Sequence, residues 1–229
     1  MNIALLLSGG KGVRMGSEIP KQFIKVNDCP IIVHTMLKLQ NHPEIDLIQA
    51  VCIEGWENIL FDWAKKYNIT KLKGVVTGGN TRFDSTRIGI ESLKNLNDDD
   101  VIIVHDSVRP LVTNESISSV IKICKTFGNS MSVLNCNDTM YEKTMADHTL
   151  KEINREKIVR GQTPEAFSAK RMREAYAAAD VKNIRLDSIS ALQIALGFKV
   201  YFAKGSKFNI KITNPEDIAL FKALLTVNR

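Results

Sequence analysis

Residues 3–16 read Ile3-Ala4-Leu5-Leu6-Leu7-Ser8-Gly9-Gly10-Lys11-Gly12-Val13-Arg14-Met15-Gly16, and Pro20-Lys21-Gln22 follows shortly after. An unbroken apolar run ended by glycines is the pattern of a strand buried on both faces. Glycines let backbone N–H groups approach an anion closely. Lys11, Arg14 and Lys21 surround the turn with positive charge, and Pro20 stiffens the return. The stretch therefore predicts a strand that opens into a phosphate-holding loop. The plainer alternative is a strand-to-helix turn with solvated lysines, and the placement of Arg14 and Lys21 on either side of the glycines weighs against it.

Two familiar phosphate loops are excluded. A Walker A loop needs Gly-Lys-Ser/Thr after four spacer residues; here Lys11 precedes Gly12, with no hydroxyl residue at the required place. A dinucleotide fingerprint needs G-x-G-x-x-G. Met15 occupies the third glycine position, and Gly16 comes one residue late. Three cations also suit a triphosphate better than a pyrophosphate held by a helix terminus.

Beyond the loop, strand and helix patterns alternate, which predicts an α/β fold around a largely parallel sheet. Strands are expected at 3–7, 47–53, 74–77, 101–105, 130–134 and 199–203. Helices are expected at 31–39, 56–67, 81–96, 116–126, 169–178 and 188–196, with Asn114 as a possible N-cap before the fourth. Lys211 alternates with Ile210 and Ile212 as on a strand, and Asn214-Pro215-Glu216-Asp217 reads as a helix start. Residues 137–160 are polar and short of core side chains. They read as a protruding β-arm, which needs a partner surface and makes a homodimer the natural expectation.

The 229 residues suffice for a single domain, here 1–229 with the arm as an excursion. No apolar run is long enough to span a bilayer, and the first apolar run belongs to a strand instead of a leader. Cys29, Cys52, Cys124 and Cys136 are scattered without a C-x-x-C pair, as reduced cytoplasmic thiols would be. A net charge of +6 without a dense basic run gives little ground for nucleic-acid binding. Anionic small substrates account for it equally well.

Ligands of open α/β sheets bind at the carboxyl ends of strands, and polar clusters fall there. Gly78-Gly79-Asn80-Thr81-Arg82 with Ser85 can read a base or ribose, although a glycine turn with a helix cap explains each residue alone equally well. In His105-Asp106-Ser107-Val108-Arg109-Pro110, Asp106 is placed as a Mg²⁺ ligand beside a polyphosphate. Arg109 can pair with a second anion; a structural Asp–Arg pair is the alternative. His105 reads as structural. Asp138-Thr139, Arg155 and Gly161-Gln162-Thr163-Pro164 form a further group that is either functional or simply solvates the arm. Lys211 can neutralise a phosphate at the reacting centre or stand as a solvated strand lysine. The spacing supports neither a Ser-His-Asp triad nor H-E-x-x-H, so cations plus one acid point to displacement at phosphorus.

With these motifs in this order, the chain resembles the cytidylyltransferases that include 2-C-methyl-D-erythritol 4-phosphate cytidylyltransferase and ribitol-5-phosphate cytidylyltransferase. The residues that carry the likeness are Gly9 to Gly16, Pro20-Lys21-Gln22, Gly78-Gly79 with Arg82 and Ser85, His105 to Pro110, Asp138-Thr139, Gln162-Thr163-Pro164, Asn209 to Thr213 and Pro215-Glu216-Asp217. The resemblance implies a Rossmann-like nucleotidyltransferase fold and a homodimer joined through β-arms. It implies CTP and a polyol phosphate as substrates, Mg²⁺ as cofactor, and a CDP-alditol and pyrophosphate as products. Arg14, Lys21 and Lys211 would be catalytic. Ser8, Gly9, Gly10, Lys11, Gly12, Gly79, Asn80, Arg82, Ser85 and Asp106 would bind nucleotide, with Asp106 also holding the metal. Arg109, Thr139, Arg155 and Asp187 would receive the acceptor, Thr139 and Arg155 coming from the partner's arm.

Two departures stand out. Leu186 occupies a place where a threonine usually helps hold the acceptor, and Ser8 replaces an alanine. The loop and the His105–Pro110 motif look more like the ribitol phosphate enzymes, whereas Ser190-Ala191-Leu192 and Asn209-Ile210-Lys211 fit the methylerythritol enzymes equally well. Ribitol 5-phosphate is the favoured acceptor, serving teichoic acid or capsule synthesis; methylerythritol phosphate would serve isoprenoid synthesis. The rival readings are a sugar-1-phosphate nucleotidyltransferase and a catalytically inactive nucleotide-binding regulator.

Overall fold

An apolar run such as 3–7 stays out of water only if both of its faces are covered. A computed structural model of the protein, describing residues 1–10 and 19–227, shows how this is done. In chain order the elements are β1 (Asn2–Ser8), β2 (Lys25–Val26), β3 (Cys29–Pro30), α1 (Ile31–Gln40), β4 (Leu47–Cys52), α2 (Glu57–Lys66), β5 (Leu72–Thr77), α3 (Arg82–Glu91) and β6 (Val101–Asp106). There follow α4 (Asn114–Phe127), β7 (Asn129–Asn135), β8 (Met140–Glu142), β9 (Lys151–Ile153), β10 (Val159–Ser168), α5 (Ala169–Lys182), α6 (Ile189–Ala195), β11 (Phe202–Lys204) and α7 (Pro215–Val227).

Seven strands form the main sheet in the order β11-β7-β10-β6-β1-β4-β5. All pairings are parallel except those of β10, which runs antiparallel to both β6 and β7. Alternation splits the core. Ala4 and Leu6 of β1 and Ile103 of β6 join α1, α2 and α4 on one face, around Met36, Leu60 and Val120. Leu5, Leu7, Ile102 and Val104 join α3, α5 and α6 on the other, around Phe83, Met172 and Leu192. This is the mostly parallel, doubly wound, Rossmann-like sheet that the resemblance implies. A third cluster, with Val26, Ile31, Val108, Leu111, Ile212 and Phe221, ties α7 to the end of the sheet.

Several boundaries differ from those expected. Thr113, not Asn114, caps α4: its hydroxyl accepts the Ser116 N–H at 3.2 Å. Helix α3 ends at Glu91 instead of residue 96, and Asn95 then takes a left-handed φ of 58°. Lys211 lies on no strand, since residues 205–214 have neither helix nor strand; Ile212 is instead fixed by full burial and by its N–H bond to the Val108 carbonyl at 2.9 Å. The arm is a short hairpin of β8 and β9, and residues 159–160, expected to end it, already belong to β10. That strand is absent from the sequence reading because Gly161 and Pro164 interrupt its pattern. Its pairing with β7 shifts register between Gln162 and Glu165.

Where α3 crosses the sheet, Gly89 leaves no room for a side chain. A Cβ there would lie 2.6 Å from both Leu5 Cδ1 and Val51 Cγ2, which are themselves buried in the core. Gly89→Ala is expected to destabilise the fold by about 1–3 kcal/mol through overpacking, despite alanine's better helix propensity. Urea denaturation of the two proteins measures the difference; an equal or higher midpoint for the variant would contradict this account.

Candidate active site

The ends of β1, β4, β5 and β6 finish nearly level. Ser8 stands opposite Cys52, Cys52 opposite Thr77, and Leu7 opposite Asp106. A cleft of about 850 Å³ opens over them, beside the point where strand order reverses about β1. Gly9, Gly10, Lys21 and Lys211 line it, together with Gly79, Asn80, Arg82, Ser85 and Asp106. Residues distant in sequence therefore share one crevice. Lys11, Gly12 and Arg14, the other loop residues expected to meet nucleotide, lie outside the described residues.

The loop's entry is held from below. Ser8 is spent internally, its hydroxyl donating to the Val51 carbonyl at 2.7 Å. Gln22 is 1% exposed and its amide donates to the carbonyls of Ser8 at 2.7 Å and Gly10 at 3.0 Å. Phe23 stacks on Trp56 with ring centroids 3.8 Å apart, which fastens the Lys21–Phe23 turn to the segment after β4. Lys21 thus reaches the cleft from a turn anchored by its two successors.

Across the cleft, Ser85 supports the second glycine turn: its hydroxyl accepts the Gly79 N–H at 3.1 Å. A Cβ on Gly79 would lie 2.4 Å from Asp84 Cβ, so only glycine allows this close crossing. Thr81 and Asp84 form a reciprocal capping box at the start of α3. That cap aims the first residue of the helix, Arg82, across the crevice.

Asp106 is the electrostatic centre. Its side chain is 9% exposed, and it faces Lys211 Nζ at 2.9 Å, Arg82 Nη2 at 3.3 Å and Arg109 Nε at 3.5 Å. Burial works to raise its carboxyl, but the Lys211, Arg82 and Arg109 charges outweigh it and hold Asp106 well below the usual carboxylate range. One acid against three cations leaves a surplus of positive charge, which favours an anionic ligand. The adjacent His105 is fully buried, and burial pulls it down to about 4, so it stays neutral at ordinary pH. It supports the site structurally, with Nε2 3.2 Å from the Arg109 carbonyl.

Arg109 is in turn fixed by a 2.7 Å bond to the Asn209 carbonyl, and Asn209 donates to the Thr163 carbonyl at 2.7 Å. Asp187 is exposed, and its carbonyl accepts from Arg82 Nη1. Thr139 and Arg155 are not in this cleft. They line a separate hollow on the arm, where Arg155 donates to the Asn137 carbonyl.

Magnesium is the group that the resemblance implies. Among the described residues no cluster of three or more His, Cys, Asp or Glu side chains is placed to hold a metal. A lone carboxylate amid phosphate-seeking cations nonetheless fits an ion that keeps most of its coordination to phosphate oxygens and water, as Mg²⁺ does.

Known proteins share this chain's sequence pattern and fold. The family model described as IspD, 2-C-methyl-D-erythritol 4-phosphate cytidylyltransferase, matches residues 2–227. The chain belongs to this cytidylyltransferase family. It is 38% identical over 229 residues to the ribitol-5-phosphate cytidylyltransferase of Lacticaseibacillus paracasei, covering 98% of each chain. It is 36% identical to the 2-C-methyl-D-erythritol 4-phosphate cytidylyltransferase of Syntrophus aciditrophicus, covering 97% of this chain and 95% of that one. The crystal structure of the 4-diphosphocytidyl-2C-methyl-D-erythritol synthase of Anaerococcus prevotii superposes with a TM-score of 0.84 at 26% identity, covering 98% of this chain and 96% of that one.

Gln22, Thr163 and Asn209 lie within motifs that were legible, yet sequence alone assigned them no task. Thr163 accepts the Asp106 N–H at 3.1 Å and so steadies the central acid. Gln22 offers a direct test. Gln22→Ala removes both bonds to the loop's entry and leaves two carbonyls without their donor. A rise of about tenfold in the KM for CTP is expected, from bonds worth about 1–3 kcal/mol. Steady-state kinetics would decide, and an unchanged KM would remove Gln22 from the loop's support.

Proposed function

We propose that this cytidylyltransferase moves CMP from CTP to a polyol phosphate, with ribitol 5-phosphate as the favoured acceptor. The observation that carries the reading is Asp106, which shares its crevice with Lys211, Arg82, Gly9, Gly10 and Lys21 and also pairs with the largely buried Arg109. Displacement at phosphorus asks a protein chiefly for positioning and for charge where charge develops.

In this reading the triphosphate lies along the loop after β1, against Lys21 and the loop cations. Asn80 and the Gly79 turn meet the base. Lys211 faces the α-phosphate. An oxygen of the acceptor phosphate forms the new bond to the α-phosphorus; the α–β bridging bond breaks, and its electron pair leaves with pyrophosphate. Arg109 and Asp187 orient the acceptor. Asp106 would hold Mg²⁺, which supplies charge neutralisation at the phosphates when bound. No covalent enzyme intermediate is needed.

Thr139 and Arg155 are assigned to the acceptor site of a second copy of the chain. The separate, exposed position of the arm supports that homodimer. Leu186 packs against the core face of α3 and α5 and offers no hydroxyl, which is consistent with an acceptor contacted differently from those met by a threonine. Four free cysteines support a cytoplasmic setting. No helix among the described residues is long and apolar enough to cross a membrane.

A side-by-side pyrophosphate assay tests the reading. With CTP and Mg²⁺, release is expected only when a polyol phosphate is added, and faster with ribitol 5-phosphate than with 2-C-methyl-D-erythritol 4-phosphate. No release with either acceptor, or a preference for UTP or dTTP with a sugar 1-phosphate, would overturn it. Lys211→Ala is expected to lower kcat by about 10²–10³-fold, the usual loss for an electrostatic stabiliser of a transition state. Wild-type turnover with such a loss would also dispose of an inactive nucleotide-binding role.

A further inference from the structure

Glu165 is a buried acid that the reaction as described does not use. It lies on β10, directly after the register shift, is 5% exposed, and makes no ion pair among the described residues. Its carboxylate accepts three bonds: from Ser190 N–H at 3.2 Å, Ser190 Oγ at 3.0 Å and Ser188 Oγ at 3.3 Å. Ser188 also caps α6 by accepting the Ala191 N–H at 3.3 Å. Residues 186–190 therefore run over Glu165 as they enter the helix.

The same turn is held on its other side by Arg82, which donates through Nη1 to the Asp187 carbonyl and through Nη2 to Asp106. Stability alone gives little reason for the acid. The Ser188 hydroxyl already caps α6, and burial pushes the Glu165 carboxyl up even though the nearby Arg82 charge and the Ser190 bonds oppose it. What the acid adds is a fixed place for the turn that carries Leu186 and Asp187, tied to the strand that also supports Asp106 through Thr163.

We propose that Glu165 is a positioning residue for the acceptor: through Ser188 and Ser190 it sets where the 186–190 turn stands relative to Asp106. The inference rests on the cytidylyl-transfer reading and deepens its acceptor half. Arg82 grips the turn from the nucleotide side and Glu165 from the sheet side, so the spacing between the two substrates is built into the fold. Changing Glu165 alters the acceptor wall without touching the loop after β1.

Glu165→Gln keeps the shape and one acceptor oxygen but puts an amide donor where the second oxygen accepts. It is expected to raise the KM for ribitol 5-phosphate and for 2-C-methyl-D-erythritol 4-phosphate about tenfold, the loss of one buried hydrogen bond, while the KM for CTP stays within about twofold. Ser190→Ala, a milder change, should move the same constant in the same direction, and the double variant should fall short of the product of the two effects. A parallel rise in the KM for CTP, or no change in either constant, would overturn the proposal. Hydrogen exchange of the 184–191 backbone gives a readout independent of turnover. Faster exchange confined to that segment in Glu165→Gln supports the anchoring, and unchanged exchange overturns it. A wild-type protein that turns over neither acceptor would defeat the cytidylyl-transfer reading, and the exchange result would still decide the anchoring.

Discussion

One carboxylate organises this protein's cleft. Lys211, Arg82 and Arg109 would repel one another if brought together without an anion, and Asp106 is the anion that permits it. The acid keeps its charge because the three cations overcome the cost of burial. Its own place is fixed by the fold. It ends β6, next to β1 in the middle of the sheet, and its N–H is bound by Thr163 of β10. Arriving phosphates can take over Lys211 and Arg82, which line the cleft beside Asp106, so the site is charged for its ligand before the ligand is present.

The scaffold fixes these groups by different means. Arg82 is aimed by a capping box at the first turn of α3. Lys211 belongs to an irregular segment, but Ile212 beside it is fully buried against the cluster that holds α7. Asp217 of that helix accepts the N–H groups of Thr213 and Asn214 and the Thr213 hydroxyl, closing the segment at its far end. Lys21 is placed by the burial of Gln22 and the Phe23–Trp56 stack. A precise site is thus carried on loops, with precision supplied by the apolar and amide anchors next to each charged residue.

Much of this was legible in the chain. The apolar runs at 3–7 and 101–105 read as strands because a doubly covered sheet needs no polar alternation. The helix starting at Pro215 and the exposed arm were equally plain. Strand β10 was not, because Gly161 and Pro164 break its pattern and its pairing shifts register just there. Lys211 was read onto a strand because Ile210-Lys211-Ile212 alternates; the observed alternation comes from an irregular segment that packs both isoleucines, Ile212 fully and Ile210 partly, on the cluster around α7. The N-cap of α4 fell one residue earlier than expected, since Thr113 and Asn114 are both capable caps and only the backbone path chooses between them.

The sequence by itself determined the α/β class and, through motifs in a characteristic order, the family, because these depend on short-range pattern: apolar runs, glycines and polar clusters along the chain. Only the tertiary structure decided which charges meet. Arg82, Asp106, Arg109 and Lys211 become neighbours through strand order and helix caps, and Gln22 and Glu165 acquire tasks only once their partners are known. Electrostatic and hydrogen-bond energies depend on distance in space and on burial, and neither quantity is written in spacing along the chain.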